Sequence, residues 1–126
     1  MSKAASEKSL PLGATIGILG GGQLGRMLSL AASRLGFKTH IYCPDKDSPA
    51  FEVTPHKTVA AYDDHAALGK FAALVDVVTY EFENVPAASV KVIASKLRPA
   101  VASLQAGQDR ALEKEFLERT GARVGP

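Results

Sequence analysis

Short apolar runs alternate with helical patterns along most of this chain. Apolar, partly β-branched runs predict strands at residues 14–19, 39–43, 57–61 and 76–80, and a briefer run predicts a fifth strand at 99–104. Helices are predicted to begin after Gly22, near Asp63 or Asp64, at Pro86 and at Gln108. Strand and helix in regular alternation indicate an α/β fold, with a small parallel sheet flanked by helices in a Rossmann-like arrangement. We predict the strand order 3-2-1-4-5.

The apolar spacing within each helix indicates which face meets the sheet. In the first helix the positions i, i+3, i+4, i+7 and i+11 are Leu24, Met27, Leu28, Ala31 and Leu35. We expect this face to be buried and Met27 to lie in the core. The apolar faces of the next two helices are Leu68, Phe71, Ala72 and Val75, and then Val90, Ile93 and Leu97. Asn84 is expected to cap the third helix, and Gly36 and Gly121 to end the first and the last.

These patterns divide the chain into three parts. Residues 1–13 are polar without a long apolar run, so we predict a flexible leader and not a signal peptide. Residues 14–104 are predicted to form one Rossmann-like domain, and residues 105–126 the last helix and the start of a linker. The chain ends just after that helix, which suggests that a further domain belongs to the same protein.

Composition narrows the classes of function. The chain has 126 residues, 46% apolar and 22% charged, which is typical of one globular domain. A formal net charge of +2 with scattered basic residues argues against nucleic acid and membrane partners. No stretch reaches the roughly 18 apolar residues that span a bilayer. The single cysteine, Cys43, excludes an internal disulfide and fits a reducing, cytoplasmic location. We interpret Cys43 as a small buried residue, and the three histidines, which lack metal-ligand spacing, as structural or surface residues.

A glycine-rich loop carries the clearest chemical signal. Gly20, Gly22 and Gly25 satisfy the pattern G-x-G-x-x-G between a predicted strand and a predicted helix. Gly20 permits a tight turn, Gly22 lets a ligand approach the backbone, and Gly25 lets the helix pack near the strand. The amides at the start of the helix favour an anion such as phosphate. The alternative is a turn that needs glycine and binds nothing.

Asp45 leaves two interpretations open. It lies 45 − 25 = 20 residues after the last glycine, where an acid binds the adenosine ribose in dinucleotide-binding folds. By pattern alone, the leading interpretation would be a nicotinamide- or flavin-binding protein. The segment 44–47 is equally an ordinary polar turn.

Longer strings in the chain resemble a known family. The segment GGGQLGRM at 20–27, YEFENV at 80–85, Asp109-Arg110 and EKEFL at 113–117 occur in the same order in the N5-carboxyaminoimidazole ribonucleotide synthetases of the ATP-grasp superfamily. The resemblance covers residues 15–126. It implies a Rossmann-like domain that precedes an ATP-grasp domain and a carboxy-terminal domain, both absent from this chain.

The resemblance also implies a reaction. Family members use ATP and bicarbonate to carboxylate the exocyclic amine of 5-aminoimidazole ribonucleotide in purine biosynthesis, with carboxyphosphate as the activated form of bicarbonate. Mg²⁺ and most of the ATP would be bound by the absent ATP-grasp domain. The full-length protein is expected to be a homodimer, and this chain alone is expected to be inactive.

Site residues follow from the matched motifs. The resemblance reassigns the glycine loop to the ribonucleotide, with Gly22, Gln23 and Leu24 as backbone contacts. Glu81 and Glu83, near the carboxyl end of the fourth strand, are expected to bind the substrate amine, with Glu81 favoured because it is closer to the sheet. Extended backbone through Glu83 would place both acids on one side, and capping of the next helix is the alternative role for Glu83.

Other interpretations stay open at this point. Arg110 matches an arginine that contacts ATP in the family, and the alternative is a solvated charge on a helix. A formate-dependent glycinamide ribonucleotide transformylase is a related possibility, although that family differs directly after its glycines. A nicotinamide-dependent oxidoreductase and a non-catalytic module that keeps only the fold are the other two.

Overall fold

The structure, a computed structural model, describes residues 9–125. The first eight residues of the predicted leader lie outside that range. Within the remainder of that segment, the Ala14 amide donates to the Pro11 carbonyl at 3.1 Å, and the Gly13 amide donates to the Gly36 carbonyl at 2.9 Å. The chain therefore enters the first strand through a turn that contacts the end of the first helix.

In the described part of the chain, four short strands form a parallel sheet. They are β1 (Thr15–Leu19), β2 (Lys38–Cys43), β3 (Lys57–Val59) and β4 (Val77–Tyr80), in the order β3-β2-β1-β4. Every pairing is parallel. The α/β class is confirmed, and the observed order agrees with the first four positions of the predicted one.

Within residues 9–125, the strands are accompanied by five α-helices and one 3-10 turn. They are α1 (Gln23–Arg34), the 3-10 turn Pro49–Glu52, α2 (His65–Ala73), α3 (Ala87–Lys91), α4 (Val101–Gln108) and α5 (Arg110–Arg119). Asp64 caps α2, because its carboxylate accepts from the Ala67 amide at 2.9 Å. The predicted cap at Asn84 is wrong, since Pro86 occupies the N-cap of α3 without a side-chain hydrogen bond. Gly36 and Gly121 both have positive φ, as expected where helices end.

The predicted fifth strand is wrong, because helix α4 occupies most of residues 99–104. Val101 and Leu104 are three residues apart and share the inner face of a helix, and so short an apolar run does not by itself distinguish helix from strand. Next to β4, a single residue takes the position of the missing strand. Leu97 forms an isolated parallel bridge with Val78. The Val78 amide donates to the Lys96 carbonyl and the Val78 carbonyl accepts from the Arg98 amide, both at 2.8 Å.

The sheet buries a different core on each face. On one face, Leu19, Tyr42 and Val78 pack with residues of α2, α3 and α4. Of the predicted apolar positions there, Ala72 is partly buried and the others are buried, namely Leu68, Phe71, Val75, Val90, Ile93 and Leu97. On the other face, Ile18, Ile41, Cys43, Ala50 and Phe51 form a smaller cluster. Adjacent residues of β1 and β2 thus alternate between two covered faces, as in other doubly covered parallel sheets.

The predicted inner face of α1 is wrong. Its buried residues are Gly25, Ser29 and Ala32, whereas Met27, expected in the core, is 63% exposed. Small side chains on the inner face bring the helix backbone close to the sheet, and the large apolar residues consequently face outward. The hydrophobic spacing identified the right element and the wrong face.

Lys96 joins the sheet edge to the end of α2. Its Nζ donates to the carbonyls of Ala72 and Val75, each at 2.7 Å. These carbonyls lie at and just beyond the last turn of α2, where regular helical hydrogen bonds run out. A lysine in that position also complements the negative end of the helix dipole.

Candidate functional site

The glycine loop begins where β1 ends and has the geometry that the sequence predicted for two of its three glycines. Gly20 has φ = +116°, a conformation that side chains disfavour. A Cβ on Gly25 would lie 2.6 Å from the Gly20 carbonyl oxygen. The tight turn at Gly20 and the close approach of α1 at Gly25 are therefore confirmed.

The loop rests on the segment that follows β2. A Cβ on Gly21 would lie 2.6 Å from the Cβ of Ser48 and 2.9 Å from that of Cys43. The Gly21 carbonyl accepts from the Ala50 amide at 2.9 Å. Cys43 is 7% exposed, and its Sγ lies 3.1 Å from the Ser48 hydroxyl, so it is the small buried residue that was predicted.

Glu81 follows directly after β4 and lies over the loop. Its amide donates to the Leu19 carbonyl at 3.0 Å, which continues the pairing of β4 with β1. Its carboxylate Oε1 accepts from the Gly22 amide at 3.0 Å. The carboxylate thus occupies the start of α1, where the aligned amides favour a negative charge.

Two glycines make room for the Glu81 side chain. A Cβ on Gly20 would lie 2.6 Å from Glu81 Cγ and Oε1, and a Cβ on Gly22 would lie 3.2 Å from Oε1. The sequence suggested that Gly22 leaves space for a ligand. In the structure the nearest group in that space is the protein's own carboxylate.

Glu83 has different surroundings from Glu81. Strand β4 ends at Tyr80, so the extended backbone that would place both acids on one side does not reach Glu83. The Glu83 side chain is exposed and its Oε1 accepts from the Asn84 side chain at 3.4 Å. It does not cap α3, whose N-cap has no side-chain hydrogen bond.

A groove of about 480 Å³ runs beside the loop. Its walls are Leu24, Met27, Leu28, Ala31, Tyr80 and Glu81. The groove brings together two residues predicted to bind substrate, Leu24 and Glu81, and Gln23 is exposed just before it. Its lining is mostly apolar with one carboxylate, which suits a flat ring that bears a hydrogen-bond donor.

Arg110 is the first residue of α5 and is not one of the residues that line this groove. Its side chain is 81% exposed and pairs with Glu113 one turn further along. Within residues 9–125, no hydrogen bond or ion pair links Arg110 to the glycine loop or to Glu81. Exposed pairs of this kind contribute little to stability, so the side chain is available to another partner.

Tyrosines near the loop remain protonated over the physiological range. Burial raises the pKa of Tyr62, and Cys43 and Glu81 add to the shift. The Tyr62 ring stacks on Phe82 with the ring centroids 5.2 Å apart. Burial also raises the pKa of Tyr42 to about 12, with Asp64 and Asp63 contributing. Neither phenol is therefore poised to act as a base near neutral pH.

The histidines make structural contacts within the described part of the chain. His40 is 8% exposed, and its Nε2 lies 2.8 Å from the Thr58 hydroxyl. Burial, and secondarily His56, lower the pKa of His40. His65 lies 3.3 Å from the Ser89 hydroxyl. In the described part of the chain, no three His, Cys, Asp or Glu residues are grouped so as to hold a metal ion.

Asp45 forms the polar turn that was one of its two interpretations. Its Oδ1 accepts from the Asp47 amide at 3.0 Å, and its carbonyl accepts from the Ser48 hydroxyl at 2.7 Å. Among residues 9–125, no helix has the length and apolar character needed to cross a bilayer.

No role was assigned from the sequence to Gln108, or to Tyr80 within its matched motif. Gln108 donates to two backbone carbonyls in the segment after β4, and Tyr80 forms one wall of the groove. Tyr80 follows the rule that ligands bind at the carboxyl ends of parallel strands, which could have drawn attention to it. Nothing in the sequence distinguishes Gln108 from other polar helix residues.

Comparison with known proteins finds a family match over most of the chain. The model of the ribonucleotide synthetase preATP-grasp domain matches residues 13–108. An N5-carboxyaminoimidazole ribonucleotide synthase from Brucella melitensis is 49% identical over 120 residues, which cover 94% of this chain and 33% of that protein. A bifunctional purine synthesis protein from Dictyostelium discoideum is also 49% identical, over 86% of this chain and 11% of that protein.

Solved structures show the same likeness. An ADP complex of an N5-carboxyaminoimidazole ribonucleotide synthetase superimposes with a TM-score of 0.89 at 39% identity, over 95% of this chain and 32% of that one. The enzyme from Aspergillus clavatus, in complex with ADP and 5-aminoimidazole ribonucleotide, superimposes with a TM-score of 0.79 at 30% identity, over 90% and 31%. This chain spans about a third of the length of these synthetases and matches their amino-terminal portion. Since the family model matches most of its residues, the chain belongs to the ribonucleotide synthetase preATP-grasp domain family.

Proposed function

We propose that this chain is the amino-terminal domain of a cytoplasmic, ATP-dependent ligase that carboxylates 5-aminoimidazole ribonucleotide with bicarbonate in purine biosynthesis. One observation carries the proposal: the Glu81 carboxylate is fixed against the glycine loop and faces a groove at the carboxyl ends of the strands. The similar proteins are named as synthetases of this kind, and one was solved with 5-aminoimidazole ribonucleotide.

In this proposal, Glu81 orients the amine that becomes carboxylated. Its Oε1 is held by the Gly22 amide, and within residues 9–125 its Oε2 has no hydrogen-bond partner. A free carboxylate oxygen accepts a hydrogen bond from a neutral amine and thereby directs the nitrogen lone pair. The nitrogen attacks the carbon of carboxyphosphate, the carbon–oxygen bond to phosphate breaks, and the proton that the amine loses is taken up by the leaving phosphate.

The three loop residues have different roles in this proposal. Gly22 acts through Glu81, because its amide holds the carboxylate. The backbone amides of Gln23 and Leu24 begin α1, whose N-cap provides no side-chain hydrogen bond. We propose them as backbone contacts to the ribonucleotide, with Leu24 also contributing apolar surface to the groove.

In this proposal, ATP is bound mainly by another domain. Arg110 is exposed at the start of α5, close to where the family match ends, and we propose that it contacts ATP. The other ATP ligands, Mg²⁺ and the bicarbonate site would lie in the ATP-grasp domain, and the intact enzyme would be a homodimer. The 126-residue chain alone is expected to release no ADP in response to ribonucleotide and bicarbonate.

The test uses the intact protein that contains this chain, and follows ADP release with 5-aminoimidazole ribonucleotide and bicarbonate. Glu81→Gln keeps the shape of the side chain and removes its charge, and Glu83→Gln is the matched control. Charge-assisted hydrogen bonds are about twice as strong as neutral ones, so we expect the KM for ribonucleotide to rise about tenfold in Glu81→Gln. Glu83→Gln should match the wild type.

Other outcomes would redirect the proposal. Equal kinetics for both variants would remove Glu81 from the substrate site. Saturable NADH fluorescence, without ribonucleotide-dependent ADP release, would favour the oxidoreductase interpretation. The turn contacts of Asp45 give that interpretation no support, because its carboxylate holds the Asp47 amide.

A further inference from the structure

Gln108 clamps the segment that follows β4. Its Nε2 donates to the Glu83 carbonyl at 2.8 Å and to the Val85 carbonyl at 2.6 Å. A glutamine amide has two N–H donors, and both are used here. Since both neighbours are carbonyl acceptors, the amide nitrogen must face them, and the side-chain orientation is fixed.

The clamped segment is the one that carries Glu81. It has no regular secondary structure, because β4 ends at Tyr80 and α3 begins at Ala87. Its first residue is tied to the sheet by the Glu81 amide, and Val85 is fully buried at its other end. Between these anchors, the Glu83 and Val85 carbonyls both accept from the Gln108 side chain.

We propose that Gln108 is a positioning residue, which holds residues 81–85 so that the Glu81 carboxylate keeps its place over the glycine loop. The assignment rests on the proposed function, in which Glu81 orients the substrate amine. A misplacement of a reacting group by an ångström is enough to slow an enzyme strongly. Gln108 is not one of the described residues that line the groove, and it acts through the backbone that it holds.

The neighbouring residues predict which substrate is affected. Asp109 caps α5 independently, because its Oδ1 accepts from the amides of Ala111 at 2.9 Å and Leu112 at 3.1 Å. The start of α5, with Arg110, is therefore fixed without Gln108. Loss of the Gln108 amide should disturb ribonucleotide binding and leave ATP binding unchanged.

The chain offers a control and a rescue. Gln105 lies on the same helix and is exposed, so Gln105→Leu makes the same chemical change away from the clamp. Gln108→Leu removes both donors at similar volume. Gln108→Lys supplies donors again, and Lys96 in this same domain already donates from its Nζ to two carbonyls.

The experiment measures both KM values and backbone hydrogen exchange in the intact protein. For Gln108→Leu we expect about a tenfold rise in the KM for 5-aminoimidazole ribonucleotide, an unchanged KM for ATP, and faster exchange at residues 82–85. Gln105→Leu should match the wild type, and Gln108→Lys should recover most of the loss.

Each contrary result has a distinct meaning. Equal rises in both KM values, or no difference between Gln108→Leu and Gln105→Leu, would overturn the positioning role. If the wild type shows no ribonucleotide response, the proposed function fails and the catalytic part of the assignment fails with it. Unchanged exchange at residues 82–85 would show that Gln108 does not hold the segment, whatever the enzyme does.

Discussion

Gly25→Ala is expected to destabilise the domain although alanine is the better helix former. Gly25 lies inside α1, and an added Cβ would be 2.6 Å from the Gly20 carbonyl oxygen. That neighbour is backbone in a turn with positive φ, so it cannot move aside as a flexible side chain would. Helix α1 must instead shift away from the loop.

The magnitude follows from a matched substitution in α2. Gly69 is also helical, and a Cβ there would meet nothing within 4 Å. Alanine gains about 0.5–1 kcal/mol over glycine in a helix at either position, so that gain cancels between the two variants. The difference that remains is the cost of overpacking, about 1–3 kcal/mol.

Urea unfolding of the two variants measures this difference. With an m-value of about 1.5 kcal/mol per M, the midpoint of Gly25→Ala should lie roughly 0.7–2 M below that of Gly69→Ala. Gly69→Ala should itself be slightly more stable than the wild type. A Gly25→Ala midpoint equal to that of Gly69→Ala would show that α1 does not depend on the close approach at the loop.

Three further substitutions test other contacts. In the intact enzyme, Gly22→Val should weaken ribonucleotide affinity and largely keep ATP affinity, because a Cβ there would lie 3.2 Å from Glu81 Oε1. Lys96→Met should lower the free energy of unfolding by about 2 kcal/mol, since two carbonyls at the end of α2 each lose a charged donor. Because burial and His56 lower the pKa of His40, the unfolded chain takes up that proton first, and stability should fall as pH drops below about 6.5. His40→Gln should flatten this decline.

Each of these has its own check. Equal loss of ribonucleotide and ATP affinity in Gly22→Val would indicate misfolding of the sheet. Lys91→Met is the control for Lys96→Met, because Lys91 is exposed and lies on the neighbouring short helix. An unchanged pH dependence of the urea midpoint in His40→Gln would assign the decline to other groups.

Much of the sheet could be predicted because strands buried on both faces consist of runs of apolar residues. Such apolar patterns predicted the strands at Ile18, Ile41 and Val78, and the inner faces of α2 and α3. The inner face of α1 could not be found in this way. Close packing at that face requires small residues, whereas the hydrophobic spacing of a helix identifies only the positions of its large apolar residues.

The residue types of the candidate site could be predicted from the sequence, but most of the contacts between these residues could not. The glycine spacing indicated the turn at Gly20 and the packing at Gly25, both of which depend on local backbone geometry. The hydrogen bond from the Gly22 amide to Glu81 joins residues 59 positions apart. Neither it nor the Gln108 clamp has a local signature, so only the folded arrangement reveals them.

The bridge at Leu97 has a consequence for how the protein behaves in solution. An open sheet normally offers its outermost strands as templates on which a second chain can add. At β4, the Val78 amide and carbonyl are already satisfied by the Lys96 carbonyl and the Arg98 amide. At the opposite border, β3 has only three residues. Within residues 9–125, neither border presents a long run of unsatisfied peptide groups, so this four-stranded sheet is protected from intermolecular strand addition without a fifth strand.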